Sequence, residues 1–354
     1  SPFYWARRSS DTPRYVENLT HRAVYIIHGD ADDNVPISQA YTMKGYIEPY
    51  VTDLQFHVEP GAGHWWDGDK ADGADCVDWP ELFATMDDRR LDPWESEFVF
   101  VSPSPWVSPT HSFVTVQSAA TPAADLRVTS TQDGDTITVT TDNVRNLSLS
   151  AEGLNANEAT VVIVDGESYP VGDEDIWVGP AEGKTPARYG PVTQVFMEPF
   201  CFVYDPAGPD AYRHFADYMT SGWNIIGNGH ACTIPLDKVT DAIRAERNMI
   251  YLGVPVTEVD ISLDLLTGWG DENVAVGGNS YGGAALAAVF PEGDRLSAIY
   301  TATAGDEALL YQFPLWTSRF VTPDYMILGA NGALGIGFWA PDWTFDGTLG
   351  QFAN

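Results

Sequence analysis

The first ninety residues alternate between short apolar runs and helix-compatible stretches. Residues 24–27 form a β-branched and aromatic run bounded by polar residues, which is typical of a buried parallel strand. Residues 38–48 are compatible with a helix, residues 54–58 alternate like a second strand, and residues 80–86 begin a further helix. This order of strand, loop, helix and strand predicts the end of a doubly wound α/β sheet.

The hydrophobic pattern changes after residue 90. Strand-like runs follow one another at short intervals, without helical periodicity, and Asp-Gly pairs at 133–134 and 165–166 favour hairpin turns between them. The runs lie at 98–101, 112–117, 136–140 and 159–164. This pattern predicts a small all-β module of the sandwich type.

A connector rich in Gly, Pro and Asp, over residues 171–192, leads into a third part in which helices and strands alternate again. Strands are predicted at 200–204 and 248–252, and amphipathic helices at 209–220 and 236–247. A chain of 354 residues usually holds two or three domains. We therefore expect a fold of the α/β and β classes: an α/β part over 1–90, an all-β sandwich-like domain over 91–172, and an α/β domain over 173–354.

The charge of the chain limits its partners. Its formal net charge is −32, from 50 acidic and 18 basic residues, so nucleic acids and anionic membranes are not expected to bind. No run reaches the ~20 apolar residues of a membrane span. Such acidity suits solubility in salty or extracellular surroundings, with cation binding by Asp clusters as the alternative. The chain begins at Ser1 without an initiator Met, so the lack of a signal peptide does not argue against export.

Three cysteines are too few for a disulfide framework. Cys201 and Cys232 can pair if the fold brings them together; otherwise all three, with Cys76, are small buried apolar side chains. Asn18 and Asn146 begin Asn-x-Ser/Thr triplets, which are weak support for secretion.

Asp32 and His64 are the candidate catalytic residues. Asp32 follows the predicted strand 24–27 by five residues, and His64 follows the strand 54–58 by six, so both lie on loops at the carboxyl ends of parallel strands. A serine hydrolase uses a histidine to take the serine proton and a carboxylate to orient that histidine. His28 is predicted to be structural, and Asp33 to cap the following segment.

The stretch from His28 to Pro36, His-Gly-Asp-Ala-Asp-Asp-Asn-Val-Pro, resembles the acid loop of the prolyl oligopeptidase family of α/β-hydrolases. The resemblance implies that Asp32 is the triad acid and that the histidine about thirty residues later is His64. It covers about residues 1–90. Most of the remaining chain resembles, through looser motifs, the long C-terminal extension of large bacterial members. The family implies a Ser-His-Asp mechanism and an N-terminal region, often a β-propeller, but no particular substrate.

The chain departs from that family by lacking the nucleophile strand before Asp32. Triads of α/β-hydrolases run nucleophile, acid, histidine along the chain, and the first 31 residues contain no Gly-x-Ser-x-Gly. We therefore expect upstream polypeptide, as a partner, to carry the nucleophilic serine. No cofactor and no metal site are expected. His230 and Cys232 are residue types that bind metal ions, but no second pair of such residues lies near them in the sequence. Trp65 and Trp66 flank His64 and are either core residues or part of the substrate cleft.

Ser280 lies in the motif Gly-Asn-Ser-Tyr-Gly, which locally resembles a nucleophile elbow. Its place after the acid and the histidine would require a permuted sheet, and Pro291 would end the supporting helix after about two turns. The sequence therefore favours a structural β-turn around Ser280.

Two hypotheses follow from the sequence. The first is the C-terminal portion of a secreted serine hydrolase, extracellular, cell-surface or periplasmic, that cleaves peptide or ester bonds through an acyl-enzyme. The second is a non-catalytic surface or assembly protein in which a hydrolase remnant only packs.

Overall fold

The computed structural model describes residues 2–66, 76, 78–259, 261, 268–313 and 322–353. The fold is mixed α/β, with strands arranged in several sheets. The α-helices are α1 (Pro2–Arg7), α2 (Ile37–Ile47), α3 (Pro80–Asp87), α4 (Ala151–Ala156), α5 (Asp210–Ile226) and α6 (Asp241–Glu246). Short 3₁₀ helices cover Arg8–Ser10, Thr12–Leu19, Val192–Phe196, Leu236–Lys238, Val256–Glu258, Glu307–Gln312 and Gly347–Leu349. None of these helices is long and apolar enough to cross a membrane.

The strands fall into three regions of the chain. The first holds β1 (Ala23–Gly29) and β2 (Asp53–Glu59). The second holds β3 (Phe98–Ser102), β4 (Thr110–His111), β5 (Val114–Ala119), β6 (Leu126–Asp133), β7 (Thr136–Asp142), β8 (Val144–Leu149), β9 (Val161–Val164), β10 (Glu167–Pro170) and β11 (Ile176–Val178). The third holds β12 (Phe200–Tyr204), β13 (Cys232–Pro235), β14 (Asn248–Leu252), β15 (Gly268–Trp269), β16 (Val274–Val276), β17 (Asn279–Tyr281), β18 (Ala284–Glu292), β19 (Arg295–Ala302), β20 (Tyr325–Gly329), β21 (Gly332–Gly337) and β22 (Gly350–Phe352).

Strands β1 and β2 form a two-stranded parallel sheet, joined by α2. One face of the pair packs on a small core in which Val16, Ile47 and Val51 are buried. The predicted strands at 24–27 and 54–58 and the predicted helices at 38–48 and 80–86 are confirmed, with ends shifted by one or two residues. Along β1 the residues before Gly29 are only partly buried or exposed, so this pair is less enclosed than the strands of the other regions.

Strands β3 to β11 form two sheets that face each other across one core. One has the order β10-β9-β7-β6-β3 and the other β11-β8-β5-β4, and all neighbours are antiparallel except β7 and β9. Buried and less buried residues alternate along β3 and β5, as expected of strands with one face on a sandwich core. Phe100 and Val128 from the first sheet share that core with Val116 and Leu147 from the second.

The strand predictions for this region were incomplete. The run at 112–117 is interrupted, because Ser112 turns with φ +49° between β4 and β5. Strands β6, β8, β10 and β11 and the helix α4 were not predicted. The last of the strands, β11, pairs with β8 although it lies beyond residue 172. The domain boundaries themselves stay predictions.

The third region is built on an eight-stranded mixed sheet with the order β13-β12-β14-β19-β18-β20-β21-β22. The strands β13, β12, β14 and β19 are parallel, and the remaining neighbours are antiparallel. The predicted strands at 200–204 and 248–252 are confirmed. The helix predicted over 236–247 is confirmed only in part, because Val239 and Thr240 are extended and divide it into a 3₁₀ helix and the shorter helix α6. Thr240 begins α6 by accepting a hydrogen bond from the amide of Ile243.

Cys201 and Cys232 form a disulfide. They are direct partners on the parallel strands β12 and β13, with Cα atoms 4.4 Å apart. The alternative of three buried thiols was therefore wrong for this pair, while Cys76 is a free thiol.

The two Asn-x-Ser/Thr triplets use their asparagines inside the fold. Asn146 is buried, accepts a hydrogen bond from Ser118 and donates one to the carbonyl of Pro180. Asn18 donates to the carbonyl of Val101 at 2.8 Å and accepts from the amide of the same residue at 2.7 Å. Because both side-chain amides are engaged in the folded chain, these triplets give no support to secretion.

A buried ion pair ties the segment before β12 to the start of β20. The side chains of Lys184 and Asp324 are 0% and 2% exposed, and their Nζ and Oδ2 atoms lie 2.5 Å apart. The amide of Trp339 donates to the same oxygen at 2.9 Å. The ammonium also lies over the rings of Tyr189 and Trp343, at 5.1 and 4.8 Å from their centroids. Both charges thus have partners that replace water.

Breaking this pair is predicted to be costly. Lys184→Met leaves the carboxylate of Asp324 buried without its cation, so we expect the free energy of unfolding to fall by about 3–5 kcal/mol. The double variant Lys184→Met/Asp324→Asn should recover part of that loss. Denaturant unfolding measures the free energy of unfolding of both variants.

The matched control is Lys238→Met, which removes an exposed ion pair with Asp237 and should change the free energy of unfolding by less than about 1 kcal/mol. An equal effect of the two Lys→Met variants would contradict this account.

Candidate active site

The parallel pairing of β1 with β2 determines where the two candidate catalytic residues lie. The strands pair in register from Ala23 with Asp53 to Gly29 with Glu59, so they end side by side. The loop that carries Asp32 and the loop that carries His64 therefore leave the sheet at the same edge. This is the edge at which parallel α/β sheets hold their functional residues.

The two loops are held against each other by hydrogen bonds from backbone amides. The amide of Ala31 donates to the carbonyl of Ala62 at 2.9 Å, and the amide of Gly61 donates to the carboxylate of Asp30 at 2.6 Å. Gly29 lies so close to the second loop that a Cβ there would be 2.3 Å from the oxygen of Ala62. A side chain at this position would force the loops apart. Glycine is therefore required by the close approach of the two backbones.

Asp32 and His64 are brought together by this arrangement. Nδ1 of His64 lies 2.9 Å from Oδ2 of Asp32, although 32 residues separate them in the chain. The other carboxylate oxygen, Oδ1, accepts the backbone amides of Asn34 at 2.9 Å and Val35 at 2.8 Å. The Asp32 side chain is 4% exposed. The carboxylate is thus fixed by its own loop on one side and faces the imidazole on the other.

Burial acts to raise the pKa of Asp32, but the hydrogen bonds that it accepts outweigh this effect. The amide of Val35, the ring of His64 and the amide of Asn34 together lower the pKa from 3.8 to about 2. The carboxylate is consequently ionised at any ordinary pH and can only accept hydrogen bonds.

An ionised Asp32 determines the tautomer of His64. Because the carboxylate is an acceptor, Nδ1 of His64 carries the hydrogen, which leaves the lone pair of neutral His64 on Nε2. The ring is 30% exposed, and among the described residues Asp32 is its one hydrogen-bond partner. His64 therefore presents a proton-accepting nitrogen away from its carboxylate, as a general base does.

Three further residues near the site were given an incorrect role by the sequence or had their role left open. Asp33 is exposed and does not cap the next segment, since the residue before α2 is Pro36 and the loop amides bind Asp32 instead. Trp65 is 70% exposed and meets the His64 ring edge-on, with centroids 5.1 Å apart. Trp66 is half-buried, and its indole N–H has no hydrogen-bond partner within the described part of the chain.

Ser280 does not lie in a nucleophile elbow. It is part of β17, where it pairs with Ala275 of β16 across a hairpin whose turn residues Gly277 and Gly278 have φ of +56° and +82°. The segment that follows is the buried strand β18 and not a helix. The strand–turn–helix geometry that activates such a serine is therefore absent from this described segment, as the position of the motif and Pro291 predict.

The described residues contain no group of three or more His, Cys, Asp or Glu side chains suited to a metal ion. Cys232 forms a disulfide with Cys201, so its sulfur is not available as a metal ligand beside His230.

Comparisons of this chain with family models, curated proteins and solved structures found no match.

The low pKa of Asp32 predicts how the site contributes to stability as pH changes. A carboxyl with a pKa of 3.8 when unfolded and about 2 when folded stabilises the fold fully above pH about 4. This contribution is lost as pH falls through the folded pKa. We expect Asp32→Asn to lower the melting temperature at pH 6, and the difference from the parent to shrink between pH 4 and 2.

Thermal unfolding followed by circular dichroism at a series of pH values measures this difference. Asp33→Asn is the matched control, because it removes an exposed carboxylate one residue away. If the difference in melting temperature between Asp32→Asn and the parent stays constant down to pH 2, the carboxylate of Asp32 does not stabilise the fold through a lowered pKa.

Proposed function

We propose that this chain supplies the histidine and the acid of a Ser-His-Asp catalytic triad in a hydrolase of the prolyl oligopeptidase type. The observation that carries the proposal is the 2.9 Å contact between His64 Nδ1 and Asp32 Oδ2, on adjacent loops at the carboxyl ends of two parallel strands. The sequence of the acid loop supports the same assignment. The reaction is hydrolysis of a peptide or ester bond through an acyl-enzyme.

His64 acts in both halves of that reaction. Its Nε2 takes the proton from a serine hydroxyl as the serine oxygen attacks the substrate carbonyl, and then gives the proton to the leaving group. The imidazolium formed in between is stabilised by the ionised carboxylate of Asp32. In the second half, His64 takes a proton from the water that attacks the acyl carbon, and then gives it to the serine oxygen as the acyl–serine bond breaks and the product acid leaves.

The nucleophilic serine and the oxyanion-hole amides are assigned to upstream polypeptide. We assign that polypeptide to the side of β1 away from β2. Within the described residues β1 pairs with β2 alone, and its side chains are only partly buried. Several large apolar side chains of this region are also exposed: Tyr41, Tyr46, Trp65, Phe83, Met86 and Leu91. These features suit a sheet that is completed by further strands and helices.

The proposed location is extracellular, cell-surface or periplasmic. The disulfide between Cys201 and Cys232 supports an oxidising compartment. The net charge of −32 is compatible with it, because high salt screens the repulsion between surface carboxylates.

Labelling with a fluorophosphonate probe tests the proposal. The native protein that contains this chain should be labelled on a serine outside residues 1–354. His64→Gln should slow labelling by about 10³-fold or more, because the base that activates the serine is lost. The matched control is His57→Gln, since His57 is a strand histidine that contacts a different carboxylate, Glu59.

Two results would overturn the proposal in different ways. Labelling of Ser280, abolished by Ser280→Ala, would place the nucleophile within this chain. An unlabelled native protein, with the fold intact, would favour the second hypothesis, a surface or assembly protein in which the hydrolase part only packs.

A further inference from the structure

A second histidine contacts the triad carboxylate. Nε2 of His28 lies 2.9 Å from the carbonyl oxygen of Val35 and 3.3 Å from Oδ2 of Asp32. A carbonyl oxygen can only accept a hydrogen bond, so Nε2 of His28 carries a hydrogen whether the ring is neutral or charged. That hydrogen is donated to the carbonyl of Val35, and Oδ2 of Asp32 lies beside it at ion-pair distance. The side chain of His28 is 14% exposed.

The carboxylate of Asp32 accepts three hydrogen bonds and has the His28 ring as a further neighbour. Oδ1 accepts the amides of Asn34 and Val35, and Oδ2 accepts Nδ1–H of His64 and lies 3.3 Å from Nε2 of His28. Rotation of the carboxylate would break bonds on both sides at once.

His28 also closes the acid loop. Val35 donates its amide to Asp32 and offers its carbonyl to His28, so the two ends of the loop are joined through one residue. His28 itself lies in β1, where it pairs with Val58 of β2. The orientation of Asp32 is therefore set by a strand and not only by its own loop.

We propose that His28 is a positioning residue of the triad, which holds the Asp32 carboxylate so that Oδ2 faces Nδ1 of His64. The inference rests on the proposed function for its catalytic consequence. His28 is not a second general base, because the nitrogen that faces the site is already engaged as a donor.

Two substitutions of His28 distinguish the effect of its N–H donor from the effect of the shape of its ring. The side-chain amide of glutamine can place an N–H near the position of Nε2, so His28→Gln retains the donor. Phenylalanine retains the ring without an N–H, so His28→Phe removes it. His57→Phe is the matched control on the neighbouring strand, because His57 does not contact Asp32.

The first measurement uses the native protein that contains this chain and does not depend on activity. The proton on Nδ1 of His64 should give a downfield nuclear magnetic resonance signal. This proton should exchange slowly with water as long as it is hydrogen-bonded to Asp32. We expect the parent, His28→Gln and His57→Phe to show this signal. In His28→Phe it should exchange at least about 10-fold faster or be lost, because Val35 loses its bond to the strand and the Asp32 carboxylate is held less firmly.

The second measurement is the rate of fluorophosphonate labelling of the native protein. His28→Phe should slow the labelling step by about 10- to 100-fold at saturating probe, with the probe concentration for half-maximal rate unchanged, and His28→Gln should restore most of the rate. If His28→Phe does not fold, His28→Asn, which moves the donor away from Asp32, replaces it under the same criteria.

The inference would be overturned if His28→Phe kept both the parent signal and the parent labelling rate, or if His28→Gln lost them as fully as His28→Phe. Failure of the proposed function gives a different result. In that case the native protein is not labelled at all, whereas the signal of His64 still depends on the donor at position 28.

Discussion

The in-register parallel pairing of β1 with β2 is the constraint on which the candidate site depends. Because Gly29 lies opposite Glu59, two loops that are distant in the chain leave the sheet together. The absence of a side chain at Gly29 lets those loops touch, and the contact between Ala31 and Ala62 fixes their separation. The hydrogen bond between Asp32 and His64 is a consequence of this geometry. A shift of the register by one residue would turn the side chains of one strand to the opposite face.

The positions of the two candidate catalytic residues could be predicted from the sequence, but the contacts that hold them could not. The strand positions, and therefore the places of Asp32 and His64, follow from apolar runs and from the glycines after them. The prediction that Asp33 caps the following segment was wrong, because the sequence does not show which of two adjacent carboxylates accepts hydrogen bonds from the loop amides. The contact of His28 with Asp32 was also not foreseen, since it depends on the path of the loop to Val35. The sequence signal that was available was only a histidine at the end of a strand.

The rest of the fold shows a similar division. Strands with continuous apolar residues, such as β12 and β14, were found at their full length. Strands β6 and β8 were missed because serine, threonine and asparagine alternate with their apolar residues, which is also typical of loops. The helix expected over 236–247 was interrupted at Thr240, whose hydroxyl caps α6. The buried pair of Lys184 and Asp324 joins residues 140 positions apart, and no local pattern predicts it.

The structure of the native protein after inactivation by a fluorophosphonate tests the central claim most directly. The account predicts that the phosphonylated serine comes from outside residues 1–354 and that its oxygen lies within about 2.6–3.2 Å of Nε2 of His64. His64 should still hold Asp32 through Nδ1 in that structure. A modified serine distant from His64, or a histidine turned away from Asp32, would contradict the account.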